Sequence, residues 1–124
     1  MIPLFKLERL PAGQRRRKLV RLLTDWERRL YDSLASARAL GADAGNPALQ
    51  NIPAETIISA SERTWLFGVV RLVLEDSSIN RAALTPADLA LSSDTAVSAQ
   101  ELLRLCNHAR HALVHATGAL PADW

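Results

Sequence analysis

The stretch "LLRLCNHARHALVHATG", residues 102 to 118, holds all three histidines of the chain within eight positions and sets two arginines beside them. On a helix advancing by about 100° per residue, Arg104, His108, His111 and His115 form one polar stripe, stepping by four, three and four. Asn107 and Gln100 lie close to it. Leu102, Leu105, Cys106, Ala109, Leu113 and Ala116 make an apolar face opposite, and Arg110 occupies the shoulder between the two. Three readings compete for the stripe. One is a solvated helix face. Another is a metal site, with His111 and His115 at i and i+4 and His108 one turn earlier. No carboxylate lies within the stripe, however, and no CxxC or HExxH pattern accompanies it. The third is acid–base chemistry on a phosphodiester. An imidazole titrates near neutral pH and can take the proton of a ribose 2′-hydroxyl. A neighbouring guanidinium can hold the phosphate and its developing charge through a bidentate contact. RNA brings its own nucleophile, so this chemistry requires no metal and no cofactor.

The segment "ARHALVH" (Ala109 to His115) resembles the motif of the HEPN superfamily, the higher eukaryotes and prokaryotes nucleotide-binding domains. That motif is an arginine, usually followed by Asn, His or Asp, and then a histidine after four to six intervening residues, on the last long helix of a small all-α bundle. Arg110, His111 and His115 match it. A second register, Arg104 to His111, satisfies the spacing but continues with Leu105, so the first is preferred. The resemblance implies a metal-independent endoribonuclease of toxin or defence type, in which two copies of the motif meet across a homodimer interface. It implies that His115 is the general base or acid, that Arg110 steadies the scissile phosphate and that His111 orients either of them. RNA is then the substrate, and an antitoxin or a larger complex is a further partner. Thr117 departs from the pattern, because many toxin members carry a tyrosine there as the target of a modifying partner enzyme.

The elements that must position these residues follow from periodicity. Between Gly13 and Leu40, Leu19, Leu22, Leu23, Trp26, Leu30, Leu34 and Ala37 recur every three or four positions, which predicts an amphipathic helix. Arg15, Arg16, Arg17 and Lys18 stand in its first turns, where cations oppose the helix dipole. They read either as an RNA-backbone contact, together with Arg104 and His108, or as a solvated face. Residues 1–40 contain ten Lys or Arg against four Asp or Glu, and the rest of the chain five against nine, so the N-terminal third is suited to a polyanion or an acidic surface.

Gly41 to Pro53 reads as a loop, and Pro53 as the start of a second helix running to about Asp76. The Val-rich "WLFGVVRLVL" would also suit a buried strand, but its flank "AETIISASERT" favours a core helix that takes Trp65 and Phe67 inside. Glu62 or Arg63 is in reach of a role beside the histidines, and Arg71 is either paired or at an interface. "LTPADLAL" predicts a short helix capped by Thr85 with Pro86 first, and "SAQE" (Ser98 to Glu101) is a capping box for the last helix, which Gly118 ends. The expectation is an all-α bundle of three long helices and one short one, with tails at both ends, the last finishing at Trp124.

The length of 124 residues suits a single domain, 1–124. One cysteine, Cys106, excludes an internal disulfide and, on the apolar face, reads as a buried structural thiol. No run approaches the roughly 18 apolar residues of a membrane span, and the start lacks the order of a secretory signal. A cytoplasmic protein without membrane attachment is expected. Two other classes stand against the ribonuclease: a non-catalytic helical subunit that binds nucleic acid or protein in a larger complex, such as a CRISPR small subunit, and a metal-binding regulator.

Overall fold

The computed structural model describes residues 2–43, 52–76, 79–91 and 96–115, with the side chains of the first helical run described as far as Ala39. Among these the chain is all-α: α1 (Leu4–Glu8), α2 (Ala12–Asp43), α3 (Ala60–Leu74), α4 (Pro86–Ala90) and α5 (Ala99–Val114), with 3-10 turns at Ala54–Thr56 and Arg81–Ala83. Pairing between extended segments is confined, among the described residues, to one bridge from Pro53 to Ser98.

The framework is α2 lying along α5. Leu19, Leu23, Trp26, Leu30 and Leu34 of α2 are buried, in steps of four, three, four and four. The first four meet Leu102, Leu105, Cys106, Ala109, Ala112 and Leu113 of α5, all at most 1 % exposed, while Leu34 packs with Ile52 and Ala99. Each buried leucine contributes roughly 1.5–3 kcal/mol. The 32 residues of α2 make a rod about 48 Å long. α3 adds Trp65, Leu66, Val69, Val70, Leu72 and Val73 to the same core, and Trp65 stacks obliquely on Trp26 with centroids 6.0 Å apart.

Four boundaries differ from the sequence reading, one of them the end of α5, which falls at Val114 and not at Gly118. α3 begins at Ala60, not Pro53. Ser59 is the stronger start, because its side chain accepts the Glu62 N–H while Glu62 returns a bond to the Ser59 N–H. Residues 52–54 are instead tied to the start of α5: Ala54 N–H donates to Val97 O at 3.1 Å and Ala99 N–H to Ile52 O at 2.6 Å. The N-terminal tail contains a helix, α1, held by burial of Leu7 and by a 2.6 Å bond from Trp65 Nε1 to Ile2 O. Five residues make no periodic pattern and are no helix in isolation, so only docking creates this one. α2 continues through Gly41 to Asp43, since one mid-helix glycine costs only about 1 kcal/mol.

α4 and α5 start where the capping boxes place them, at Thr85 with Asp88 and at Ser98 with Glu101. α5 ends at Val114, with His115 as its C-cap. Most of the loop read between Gly41 and Pro53, together with Ala116, Thr117, Gly118 and Trp124, lies outside the described residues. No described helix is long and apolar enough to cross a membrane.

Candidate functional site

Tertiary packing divides the polar residues of α5 among three neighbourhoods. On the side facing α2, Glu27 collects two residues one turn apart. Arg110 Nε donates to its Oε2 at 2.5 Å, and the Asn107 side-chain amide donates to its Oε1 at 2.7 Å. The side chains of Arg110 and Glu27 are 27 % and 14 % exposed, so the pair is sheltered without being sealed. The bond engages Nε, and among the described residues the two terminal amines of Arg110 have no partner. A carboxylate on Nε is a fitting way to aim those amines, because the planar guanidinium turns as one body.

On the side facing α4, His108 Nδ1 lies 2.5 Å from Asp88 Oδ2. The Asp88 carboxylate is 1 % exposed and the His108 ring 25 % exposed. Burial raises the Asp88 pKa, but the Thr85 N–H, the His108 ring and the Thr85 hydroxyl outweigh it and hold the carboxyl below its ordinary value. Asp88 Oδ1 is buried with no hydrogen-bond partner among the described residues. A carboxylate on Nδ1 sets the ring orientation and directs Nε2 outward, the arrangement that steadies a general base or a ligand.

At the C-terminal end of α5, His111 and His115 stack on each other, with planes 8° apart and centroids 5.9 Å apart. The His115 N–H donates to His111 O at 3.0 Å, which keeps the cap residue one turn above its neighbour. His115 is exposed and His111 half-buried. The motif residues therefore share one helix end but not one contact: Arg110 turns to Glu27, and the two histidines turn to each other.

The other residues singled out in the sequence scatter. Arg16 is bound through Nε and Nη2 to Asp76 at 2.6 and 3.2 Å, a clamp between the start of α2 and the end of α3. Arg15, Arg17 and Lys18 are half-exposed beside it. Arg104 is exposed on the α2 side of α5, away from this run. Glu62 pairs with Arg29 at 2.8 Å and Arg63 with Glu55 at 3.1 Å, so neither orients a histidine. Arg71 is exposed. Cys106 is fully buried, and desolvation pushes its thiol up to about 12, with the Glu27 charge adding to the effect. Among the described residues no three His, Cys, Asp or Glu side chains converge in a way that could hold a metal ion.

The two carboxylates that organise the site, Glu27 and Asp88, were not singled out in the sequence. Glu27 is one of only four acids in a strongly basic third. Asp88 closes a capping box begun by Thr85, which announces a carboxylate at that turn but not the histidine it meets twenty residues later. No protein-family model, curated protein or solved structure matches the chain.

Proposed function

We propose that the protein is a metal-independent endoribonuclease of toxin or defence type, a HEPN-like homodimer acting through Arg110, His111 and His115. The observation that carries this reading is the ordered end of α5, where a guanidinium oriented by Glu27 and a stacked pair of imidazoles come within five residues of one another. In this reading His115 takes the proton of a ribose 2′-hydroxyl, and the 2′-oxygen attacks the adjacent phosphorus. The 5′-oxygen leaves with a proton from a second imidazole, giving a 2′,3′-cyclic phosphate. The terminal amines of Arg110 hold the non-bridging oxygens as charge builds on them. A second copy of α5, or an antitoxin that blocks it, meets this end of the helix. The three long helices form the scaffold of the bundle, and the setting is the cytoplasm.

The test is cleavage of a mixed RNA pool in EDTA by the wild type, His115→Ala and Arg110→Ala. Cleavage by the wild type and its loss in both variants supports the reading. Intact RNA in all three reactions, or equal cleavage in all three, removes it. A second reading, a non-catalytic helical subunit that binds nucleic acid in a larger complex, is favoured by the Glu27–Arg110 pair itself. That pair neutralises the motif arginine inside the monomer, as an arginine used only for structure would be.

A further inference from the structure

Beside the Arg110 anchor, α2 and α5 leave an open cleft of about 740 Å3. Its lining sets arginines and a tyrosine around Leu34 and Leu103. Arg28 and Arg38 come from α2, Arg104 and Arg110 from α5, and Tyr31 stands at the lip with 64 % of its surface exposed. Glu27 is the acid of this lining, and its two oxygens are occupied by Arg110 and Asn107. Among the described residues Arg28, Arg38 and Arg104 have no carboxylate partner, and all three are exposed. Three guanidinium groups without a carboxylate between them repel one another and gain from an anionic ligand, and an exposed tyrosine ring gains from a flat partner. A ligand that is anionic at regular intervals and carries flat unpaired rings satisfies both features at once.

We propose that this cleft holds a single-stranded segment of RNA, with an unpaired base stacked on Tyr31 and its flanking phosphates on Arg28, Arg38 and Arg104. The proposal rests on the ribonuclease reading for the choice of RNA, and it assigns that enzyme its substrate-holding surface. Thr24 to Arg38 of α2, which edge the cleft, span about 21 Å, room for several nucleotides of extended strand leading to Arg110. A duplex has its base faces covered and offers nothing to the tyrosine ring, so a single strand is the occupant.

The experiment measures binding of a fluorescent single-stranded oligonucleotide, 2′-O-methylated throughout so that it cannot be cleaved, to the full chain across a salt series. Tyr31→Ala is expected to weaken binding by roughly tenfold to a hundredfold, and Tyr31→Phe to bind as the wild type does. Arg28→Ala, Arg38→Ala and Arg104→Ala are each expected to make the salt dependence shallower by about one unit of slope. All of these side chains are exposed, and an unchanged circular dichroism melt shows that each variant is folded.

Absence of binding by the wild type overturns the proposal and leaves the cleft to a protein partner. Equal binding by Tyr31→Ala, or equal competition from an unlabelled duplex, overturns it as well. The uncleavable strand separates this result from the catalytic one. Binding that depends on Tyr31 and the three arginines, together with an uncut cleavable strand, keeps the cleft and removes the ribonuclease.

Discussion

Glu27 and Arg110 lie 83 positions apart in the chain and meet at 2.5 Å between α2 and α5, with Asn107 bound to the free oxygen of the same carboxylate. One acidic side chain thereby fixes how far α5 slides along α2, and it determines where the charge of the motif arginine points. Burial of Leu102, Leu105 and Leu113 presses the two helices together but is tolerant of small shifts; a two-pronged charged contact is not.

The pair should show as a coupling energy. Arg110→Ala leaves the Glu27 charge half-buried and unpaired, and Glu27→Gln does the reverse. Each is expected to lower unfolding stability by about 1–2 kcal/mol, while the double variant loses less than the sum by about 1 kcal/mol. Urea unfolding of the four proteins measures this, and strictly additive losses would show that the contact does not fasten the helices. If Arg110 serves RNA cleavage, Glu27→Gln should also slow cleavage while leaving the fold intact.

Asp88 makes stability depend on acid. Its folded pKa lies below the ordinary 3.8, so its contribution is complete above that value and disappears as pH falls through the folded one. The stability difference between wild type and Asp88→Asn is therefore expected to shrink steadily as the pH is taken from 5 down through this range. Parallel unfolding curves over that interval would show that the His108 and Thr85 contacts do not favour the charged carboxylate.

Cys106 works at the other end of the scale. Its thiol is raised from 9.0 to about 12, so its contribution is complete below pH 9 and is lost as pH rises towards the folded value, because only the unfolded chain can ionise it. Cys106→Ala should lose less stability than the wild type between these limits. At neutral pH a thiol reagent should label the wild type only after denaturant is added, and prompt labelling of the native protein would contradict the burial.

Gly68 is where α1 rests on α3. A Cβ at this position would run into the Leu4 side chain. Gly68→Ala ordinarily strengthens a helix by about 1 kcal/mol, but here the methyl must displace Leu4, and the net gain is expected to vanish. Combined with Leu4→Ala, which opens the space, the same change should recover about 0.5–1 kcal/mol relative to Leu4→Ala alone. Thermal melts of the four proteins decide it, and an identical effect in both backgrounds would mean that α1 does not press on this glycine.

What the amino-acid sequence determined by itself is whatever neighbours along the chain can settle. The apolar stripes of α2 and α5 follow from the helical repeat. The starts of α4 and α5 follow from boxes only four residues wide, Thr85 with Asp88 and Ser98 with Glu101. The clustering of three histidines and two arginines on one helix was legible for the same reason. A third such box, Ser59 with Glu62, was equally local but was overshadowed by Pro53, a helix-starting residue that the chain uses for an extended turn.

Tertiary structure decided the rest. Glu27 with Arg110, Asp88 with His108, Arg16 with Asp76, and Trp65 with the backbone of Ile2 join positions 20 to 83 residues apart. The helical repeat says that a side chain is polar or half-covered but not which helix comes to lie beside it. That choice belongs to the packing of α2 against α5 and of α4 and α1 around them, where burying apolar surface brings charged groups into reach. The polar residues that the sequence gathers on α5 thus became an anchored Arg110 on the shoulder, a braced His108 and a stacked His111–His115 pair, each with a different neighbour.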